Sequence, residues 1–258
     1  MNADLKLLTD AARAAGEIAL RFWRKSPEVW QKDAGEGPVT AADLAVNDML
    51  IANLRAARPD YGWLSEETPD TPDRLHAERV FIIDPIDGTR AFIDGTPDFA
   101  HSLAVSESGR ITAAVVYLPA KNRLYSASND TISTLNDNPV QCSGRDGVRD
   151  ATLLSARPNL APEHWRNDTP PPVRRAFRSS LAWRLCLVAE GAFDGMLTLR
   201  PTWEWDVAAG TLIARQAGAL TSDRRGQTLL FNNAEARLDG CIAAAPGLQR
   251  NLLGLLRA

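Results

Sequence analysis

The stretch DPIDGT at residues 84–89 follows an apolar, strand-like run and places two carboxylates three residues apart beside a Gly-Thr turn. Mg²⁺ prefers oxygen ligands and typically combines one or two carboxylates with substrate phosphate oxygens. Asp84 and Asp87 can supply those carboxylates, while Gly88 allows the main chain to approach a phosphate closely. A helix that begins at Thr89 would favour an anion at its N-terminus. The stretch therefore predicts a divalent-metal and phosphate site, although aspartates are also common in plain turns.

Three other segments support this interpretation: VTAAD at residues 39–43, the acidic pair at residues 66–67, and WDVAAG at residues 205–210. Together with DPIDGT, their order and spacing resemble the inositol monophosphatase superfamily over most of the chain. The resemblance implies an α+β fold, a layered α/β/α/β/α sandwich of two closely packed lobes similar to fructose-1,6-bisphosphatase. It also implies a Mg²⁺-dependent phosphoric monoester hydrolase that is inhibited by lithium and is often a homodimer.

Hydrophobic periodicity and turn residues predict the order of elements along the chain. Helices are expected at residues 5–22, 41–57, 181–190, 207–217 and 247–256, with Thr40 and Asp43 forming a capping box before the second. Strands at residues 79–83, 99–106, 111–117 and 124–128 suggest an antiparallel meander, and residues 219–223 and 228–231 flank a later turn. The segment at residues 129–149 is rich in Asn, Asp, Gly and Ser. We therefore expect an N-terminal α+β lobe at residues 1–142 and a C-terminal α/β lobe at residues 143–258 that completes the site.

Composition narrows the class of partner. The net charge of −3 and the pI near 5.7 give no electrostatic footprint for a nucleic-acid polymer. The longest apolar runs are far shorter than a membrane span, and the N-terminus does not have the pattern of a signal peptide. The three cysteines show no paired spacing, which favours a reducing cytoplasm over a disulfide framework. We therefore expect a cytoplasmic enzyme whose partner is a small phosphorylated substrate.

The resemblance also implies a ligand set for two or three Mg²⁺ ions. One ion is assigned to Glu66, Asp84 and the carbonyl of Ile86, and a second to Asp84, Asp87 and Asp206. Asp84 would bridge the two ions. The residues alone leave one alternative open, because Asp206 precedes a predicted helix and could act simply as its N-cap.

Catalytic and substrate-binding roles follow from the same resemblance. Glu66 and Thr89 would position and help to deprotonate the attacking water, with Asp43 as a further catalytic residue. Asp43 could instead serve only its capping box, and Thr89 could be only a helix-start residue. The amides of Gly88 and Thr89 would hold the phosphate. The expected substrate contacts are completed by Asp87, Asp206 and Arg200.

Two departures from the inositol branch of the family concern the substrate. Arg90-Ala91-Phe92 follows the DGT where that branch usually has Asn two places on, and residues 197–200 lack its sugar-orienting glutamate. Both features look more like the 3′(2′),5′-bisphosphate nucleotidase branch, and a cation such as Arg200 suits a second phosphate. The favoured substrate is therefore adenosine 3′,5′-bisphosphate. Inositol 1-phosphate or a sugar phosphate is the alternative, and a catalytically silent phosphate-ligand binding protein is the alternative of another class.

Overall fold

The computed structural model describes residues 2–31 and 37–257. Its α-helices are α1 (Ala3–Phe22), α2 (Ala41–Ala57), α3 (Thr89–Ile93), α4 (Leu181–Ala189), α5 (Glu204–Gln216) and α6 (Pro246–Leu255). The strands of the N-terminal part are β1 (Val29–Gln31), β2 (Pro38–Thr40), β3 (Gly62–Ser65), β4 (Arg79–Asp87), β5 (Ala100–Glu107), β6 (Arg110–Leu118), β7 (Arg123–Ser128), β8 (Thr134–Leu135) and β9 (Asn138–Pro139). Those of the C-terminal part are β10 (Thr152–Ser155), β11 (Arg174–Ala176), β12 (Gly195–Thr198), β13 (Thr202–Trp203), β14 (Leu220–Ser222), β15 (Arg237–Leu238) and β16 (Cys241–Ala244).

The strands form two main sheets. Strands β3 to β9 make a seven-stranded sheet in chain order, parallel between β3 and β4 and antiparallel from β4 onward, which confirms the predicted meander. The second sheet has the order β11-β10-β12-β16-β14. Its β11, β10 and β12 are parallel, whereas β16 is antiparallel to both of its neighbours. Two short pairs, β1-β2 and β13-β15, lie outside these sheets.

Side-chain alternation along β4 places a helical layer on each face of the first sheet. Phe81 and Ile83 pack in one hydrophobic cluster with residues of α1 and α2. Val80 and Ile82 belong to a second cluster with residues of α4 and α5. Successive strand residues point to opposite faces, so one apolar run serves both clusters.

The second sheet repeats this arrangement. Met196 of β12 joins the cluster that contains α4 and α5. Its neighbour Leu197 packs with Leu248 and Leu252 of α6 on the opposite face. The layers are therefore helices, sheet, helices, sheet and helix, which confirms the expected α/β/α/β/α sandwich. The division into lobes at residue 142 stays a prediction.

Local sequence signals fix the long N-terminal helices. The Asn2 side chain accepts the N–H groups of Asp4 and Leu5 at the start of α1. The start of α2 is closed by the predicted capping box of Thr40 and Asp43. Both helices match their predicted extents because caps and periodicity agree. In the part of the chain that the structure describes, none of the helices combines the length and apolar character that crossing a membrane requires.

Most predicted boundaries lie within two residues of the observed ones, and two differ by more. Strand β4 continues through the metal motif to Asp87, and α5 begins at Glu204 rather than at residue 207. The predicted turn between residues 219–223 and 228–231 is present, with the N–H of Gly226 donating to Asp223 O, but residues 228–231 do not pair with β14 as a strand. The N–H of Phe231 instead donates to Gly109 O, at the turn between β5 and β6, while β14 pairs with β16. The segment thus packs against the other sheet, a long-range contact that local pattern does not reveal.

Candidate active site

An irregularity in β4 brings the two aspartates of DPIDGT together. Asp84 pairs with Ser102 and Asp87 with Ala100, so two residues of β4 stand opposite the single residue His101. In a regular strand, residues three apart point to opposite faces. A bulge with one extra residue bends the strand and re-aims its side chains. The DPIDGT sequence therefore places both carboxylates on one side.

Helix α5 contributes a third carboxylate, that of Asp206. One carboxylate oxygen each of Asp84, Asp87 and Asp206 lies within 4.8 Å of the others. Asp206 stands in the first turn of α5, and the N-cap position belongs to Trp203. The alternative interpretation of Asp206 as the helix N-cap is therefore wrong. The structure instead joins a residue near the C-terminal sheet to the DPIDGT motif.

The carboxylates of this cluster repel one another, and a cation could relieve that repulsion. Burial raises the pKa of Asp84 well above its usual value, and the charges of Glu66, Asp87 and Asp206 raise it further. Asp206 behaves alike, because burial and the charges of Asp87 and Glu66 raise its pKa. Oδ1 of Asp84 is buried and has no hydrogen-bond partner among the residues that the structure describes. An oxygen-only set with one orphaned carboxylate oxygen fits a hard divalent cation such as Mg²⁺.

Glu66 stands next to this cluster. Its N–H donates to Ile83 O of β4, so the β3–β4 pairing carries the acidic pair to the motif. Among the acidic neighbours of Asp84, Glu66 raises its pKa most and Glu67 least. This order agrees with the assignment of the ligand role to the first glutamate.

Asp87 is more deeply built in than its sequence context suggests. An aspartate in a turn motif is commonly exposed, but only 7% of Asp87 is exposed. Its Oδ2 accepts hydrogen bonds of 2.6 Å from the Ser180 hydroxyl and from the N–H of Ala182. Burial raises the pKa of Asp87 to about 6, and these two hydrogen bonds oppose the rise. Asp87 therefore also ties the first sheet to the N-terminus of α4.

Thr89 and Asp43 meet beside the cluster. Oδ2 of Asp43 accepts from the N–H and hydroxyl of Thr40, at 2.8 and 2.6 Å. Its Oδ1 lies 3.4 Å from the Thr89 hydroxyl, which is also 3.1 Å from Ile86 O. Asp43 thus forms the capping box and contacts Thr89, so one of its roles does not exclude the other. The carbonyl of Ile86 lies in the same group of contacts.

Gly88 satisfies a backbone requirement at the turn. It is the N-cap of α3, which begins at Thr89 as predicted, and its φ of 98° is in the left-handed region. A Cβ atom here would lie 3.0 Å from Asp98 O and 3.5 Å from the Ser180 backbone nitrogen. Only glycine adopts this turn without strain and fits the space.

The carboxylates open into a cleft of about 590 Å³ that is also lined by three arginines, Arg90, Arg200 and Arg237. Trp203 and Trp205 form part of its wall and stack with ring centroids 4.7 Å apart. The Arg237 guanidinium lies 3.8 Å above the Trp203 ring. Trp203 also packs against the hydrophobic cluster that contains α4 and α5, so it serves both the core and the cleft. Acidic, basic and aromatic groups thus surround one volume.

Sequence reasoning missed Arg184. It lies on α4, and its guanidinium donates to the backbone carbonyls of Arg178 and Ser179. Burial lowers its pKa to about 10, while the charges of Asp87 and Asp206 oppose this shift. An arginine in an apolar helical run, LAWRLCLVA, is the one local signal that could have indicated it.

His101 was also assigned no role from sequence. It is fully buried, and its Nδ1 donates to the carbonyl of Pro85, which can only accept. Burial lowers the pKa of His101 to about 4, so the ring is neutral at pH 7. Its hydrogen bond holds the carbonyl that lies between the two aspartates of the motif.

The depressed pKa of His101 predicts acid sensitivity. The contribution of the neutral ring to folding stability is fully present above the ordinary pKa of 6.5 and is lost as the pH falls towards 4. The reason is that in this range the histidine binds a proton in the unfolded chain but stays neutral in the folded protein. Between pH 7 and pH 4 we expect wild type to lose up to about 3 kcal/mol more unfolding free energy than His101→Asn. Urea unfolding across this range measures the difference. His76→Asn, at an exposed histidine, is the matched control; equal pH slopes for wild type and both variants would contradict the assignment.

Comparisons with known proteins agree with this geometry. The model of the inositol monophosphatase family matches residues 2–257. The inositol-1-monophosphatase of Mesorhizobium japonicum is 32% identical, over 98% of this chain and 95% of that protein. The 3′(2′),5′-bisphosphate nucleotidase CysQ of Salmonella typhimurium is 31% identical, over 91% of this chain and 96% of that protein. The crystal structure of the extragenic suppressor protein suhB from Bartonella henselae superposes with a TM-score of 0.82 at 27% identity, covering 98% of each chain.

The structural match covers 98% of the chain, and the range matched by the family model spans both the DPIDGT motif and the Trp-Asp segment that together form the carboxylate cluster. Relatives named for two different phosphatase activities match over nearly the whole chain. The chain therefore belongs to the inositol monophosphatase family of phosphomonoesterases.

Proposed function

We propose that this phosphatase uses two or three Mg²⁺ ions and hydrolyses adenosine 3′,5′-bisphosphate in preference to inositol 1-phosphate. The observation that carries the proposal is the cluster of Asp84, Asp87 and Asp206 at a cleft with three arginines. The family depends on Mg²⁺, and the cluster fits that ion. The number of ions and the substrate are the parts proposed here.

The proposed ligand roles are those that the family resemblance implies. Glu66, Asp84 and the Ile86 carbonyl would hold one ion, and Asp84, Asp87 and Asp206 a second. When bound, Mg²⁺ neutralises the phosphate oxygens, lowers the pKa of a coordinated water and stabilises the leaving oxygen. Asp84 is the natural shared ligand, because one of its buried oxygens has no partner within the described protein.

Other side chains of the site orient water and phosphate. The Thr89 hydroxyl, beside Asp43 Oδ1, can accept a proton from water while passing its own proton to that carboxylate. Glu66 lines the cleft and can act on the same water. The amides of Gly88 and Thr89 stand at the start of α3, where a helix leaves its first N–H groups without internal acceptors. These amides would hold the phosphate during hydrolysis.

Arginines and tryptophans support the nucleotide substrate. Arg200 is exposed in the cleft, and its charge lowers the pKa of Asp206, which places it near the cluster. A second phosphate would gain charge-assisted hydrogen bonds from Arg200 or Arg237. The stacked Trp203 and Trp205 offer aromatic surface of the kind on which bases stack. Inositol has neither a second charge nor a π face.

A specificity measurement tests the substrate. We expect kcat/KM for adenosine 3′,5′-bisphosphate to exceed that for inositol 1-phosphate by about 10-fold or more. A ratio of this size corresponds to the free energy of one strong interaction in the transition state. Arg200→Ala should narrow this gap by slowing the bisphosphate reaction selectively. Arg250→Ala, which removes an exposed arginine of α6 outside the cleft, is the matched control. Phosphate release from both substrates and from fructose 1,6-bisphosphate provides the readout.

The alternatives give distinct outcomes. A preference for inositol 1-phosphate would overturn the nucleotidase proposal and leave the metal-dependent phosphatase intact. A catalytically silent binding protein would bind phosphate esters without Mg²⁺-dependent release of phosphate. Lithium inhibition and a homodimer remain predictions from the family resemblance. Inhibition kinetics and light scattering test them.

A further inference from the structure

A second cleft lies at the outer helical layer beside α6. It measures about 550 Å³ and is lined by four arginines, Arg166, Arg224, Arg225 and Arg257, with Asp239 as its carboxylate. Leu253 and Leu256 supply an apolar part of the lining. It shares no lining residue with the catalytic cleft, and it lacks the carboxylate cluster that holds a metal. Its chemistry is therefore that of an anion site.

Two of the arginines are held by backbone carbonyls. Arg166 Nε donates to Leu256 O at 3.1 Å, and a terminal nitrogen of Arg224 donates to Leu199 O at 3.0 Å. A guanidinium has five N–H donors, so one anchoring bond leaves others available to a ligand. The anchors pre-orient two cations without neutralising them, because a carbonyl carries no net charge.

The other two arginines make exposed ion pairs. Arg225 Nε lies 3.0 Å from Asp239, and a terminal nitrogen of Arg257 lies 2.6 Å from Asp168. Exposed pairs of this kind contribute little stability and exchange readily with another anion. The lining, as far as the structure describes it, thus carries four arginines and one carboxylate, with Asp168 paired to Arg257, on a protein whose net charge is −3. The cleft therefore has an excess of positive charge, although the net charge of the protein is negative.

We propose that this arginine cleft binds a small ligand carrying two or more phosphate or sulfate groups. Planar guanidinium groups match the oxygen geometry of such groups in bidentate fashion. One anionic group would bridge the anchored Arg166 and Arg224, and another would recruit Arg225 and Arg257 from their surface pairs. The leucines of α6 can contact an apolar portion of the ligand.

The site connects to the catalytic cleft through one residue. Arg224 holds the carbonyl of Leu199, and Asn159 Oδ1 accepts the N–H of Leu199 at 3.0 Å. The next residue, Arg200, lines the catalytic cleft. A ligand bound to the other N–H groups of Arg224 would act on Leu199 through this hydrogen bond and would therefore alter the position of Arg200, and with it the KM for substrate more than kcat.

Calorimetric titration with inorganic pyrophosphate in EDTA tests the binding. Without divalent ions the catalytic carboxylates repel the anion, so the arginine cleft is the site observed. The double variant Arg225→Gln/Arg257→Gln should weaken binding by about 10-fold or more. Arg250→Gln controls for charge on the same helical layer, and Arg200→Ala controls for the catalytic cleft; both should bind as wild type does. Thermal unfolding checks that the exposed substitutions preserve the fold.

Each result decides the proposal. Selective loss in the double variant supports it, and rising salt should weaken the wild-type titration because the contacts are ionic. Three results would overturn it: wild type gives no heat on titration with pyrophosphate, the double variant binds pyrophosphate as tightly as wild type does, or Arg200→Ala loses pyrophosphate binding. With Mg²⁺ present, pyrophosphate should raise the substrate KM more in wild type than in the double variant. An equal rise would overturn the connection through Leu199.

Discussion

Asp84→Asn is expected to reduce Mg²⁺-dependent phosphate release by about 10²- to 10³-fold, comparable to the loss of a key electrostatic group in other active sites. The carboxylate of Asp84 is 1% exposed and is surrounded by the charges of Glu66, Asp87 and Asp206. Its removal takes away the ligand that both ions would share. Phosphate release at saturating Mg²⁺ measures the effect.

The same substitution should stabilise the protein without metal. Burial and the neighbouring carboxylates disfavour an ionised group at position 84, so a neutral amide there removes an unfavourable interaction of about 1 kcal/mol or more. We expect the metal-free variant to melt above wild type, while Mg²⁺ raises the melting temperature of wild type only. Asp94→Asn, at an exposed residue just after α3, makes the same charge change as a control. Wild-type turnover in Asp84→Asn would refute the ligand assignment.

Substitution of the two adjacent glutamates, Glu66 and Glu67, should have very different effects on turnover. Glu66→Gln is expected to lower turnover by about 10²-fold, because it would remove both a proposed metal ligand and the proposed group beside the attacking water. Glu67→Gln should be mild, since Glu67 has the weakest electrostatic effect on Asp84 among its acidic neighbours. Parallel measurements of kcat against Mg²⁺ concentration separate lost metal affinity from lost chemistry.

The two glutamate variants test the choice of Glu66 over Glu67 as the metal ligand. Comparable losses in both variants would mean that both carboxylates serve the site. A larger loss at Glu67 would move the ligand role to that residue. Either outcome would leave the cluster of Asp84, Asp87 and Asp206 in place.

The structure also changes the interpretation of Asp87. Because it accepts hydrogen bonds from Ser180 and the N–H of Ala182, its substitution would disturb the contact between β4 and α4 as well as the metal site. Loss of activity in Asp87→Asn would therefore combine two causes. Asp84 is the cleaner test of metal chemistry.

Local sequence determined much of the fold and the identity of the carboxylates. The caps of α2, the alternation in β4 and the DPIDGT turn act over a few residues, so their signals are contained in the chain itself. The family resemblance supplied the order of the layers, which alternation alone does not give. Gly88 could be recognised because a positive φ beside a phosphate site demands glycine.

Tertiary structure alone decided how distant residues share one volume. Contacts between elements far apart in sequence produce the bulge opposite His101 and the hydrogen bond from Ser180 to Asp87. The same kind of contact brings Arg184 near the charges of Asp87 and Asp206. The arginine cleft similarly joins Arg166, Arg224 and Arg257 from three separate segments. Periodicity shows which face of an element is buried, but not which other element covers it. The sequence therefore determined which residues could bind metal and phosphate, and packing between the two sheets determined which of them meet.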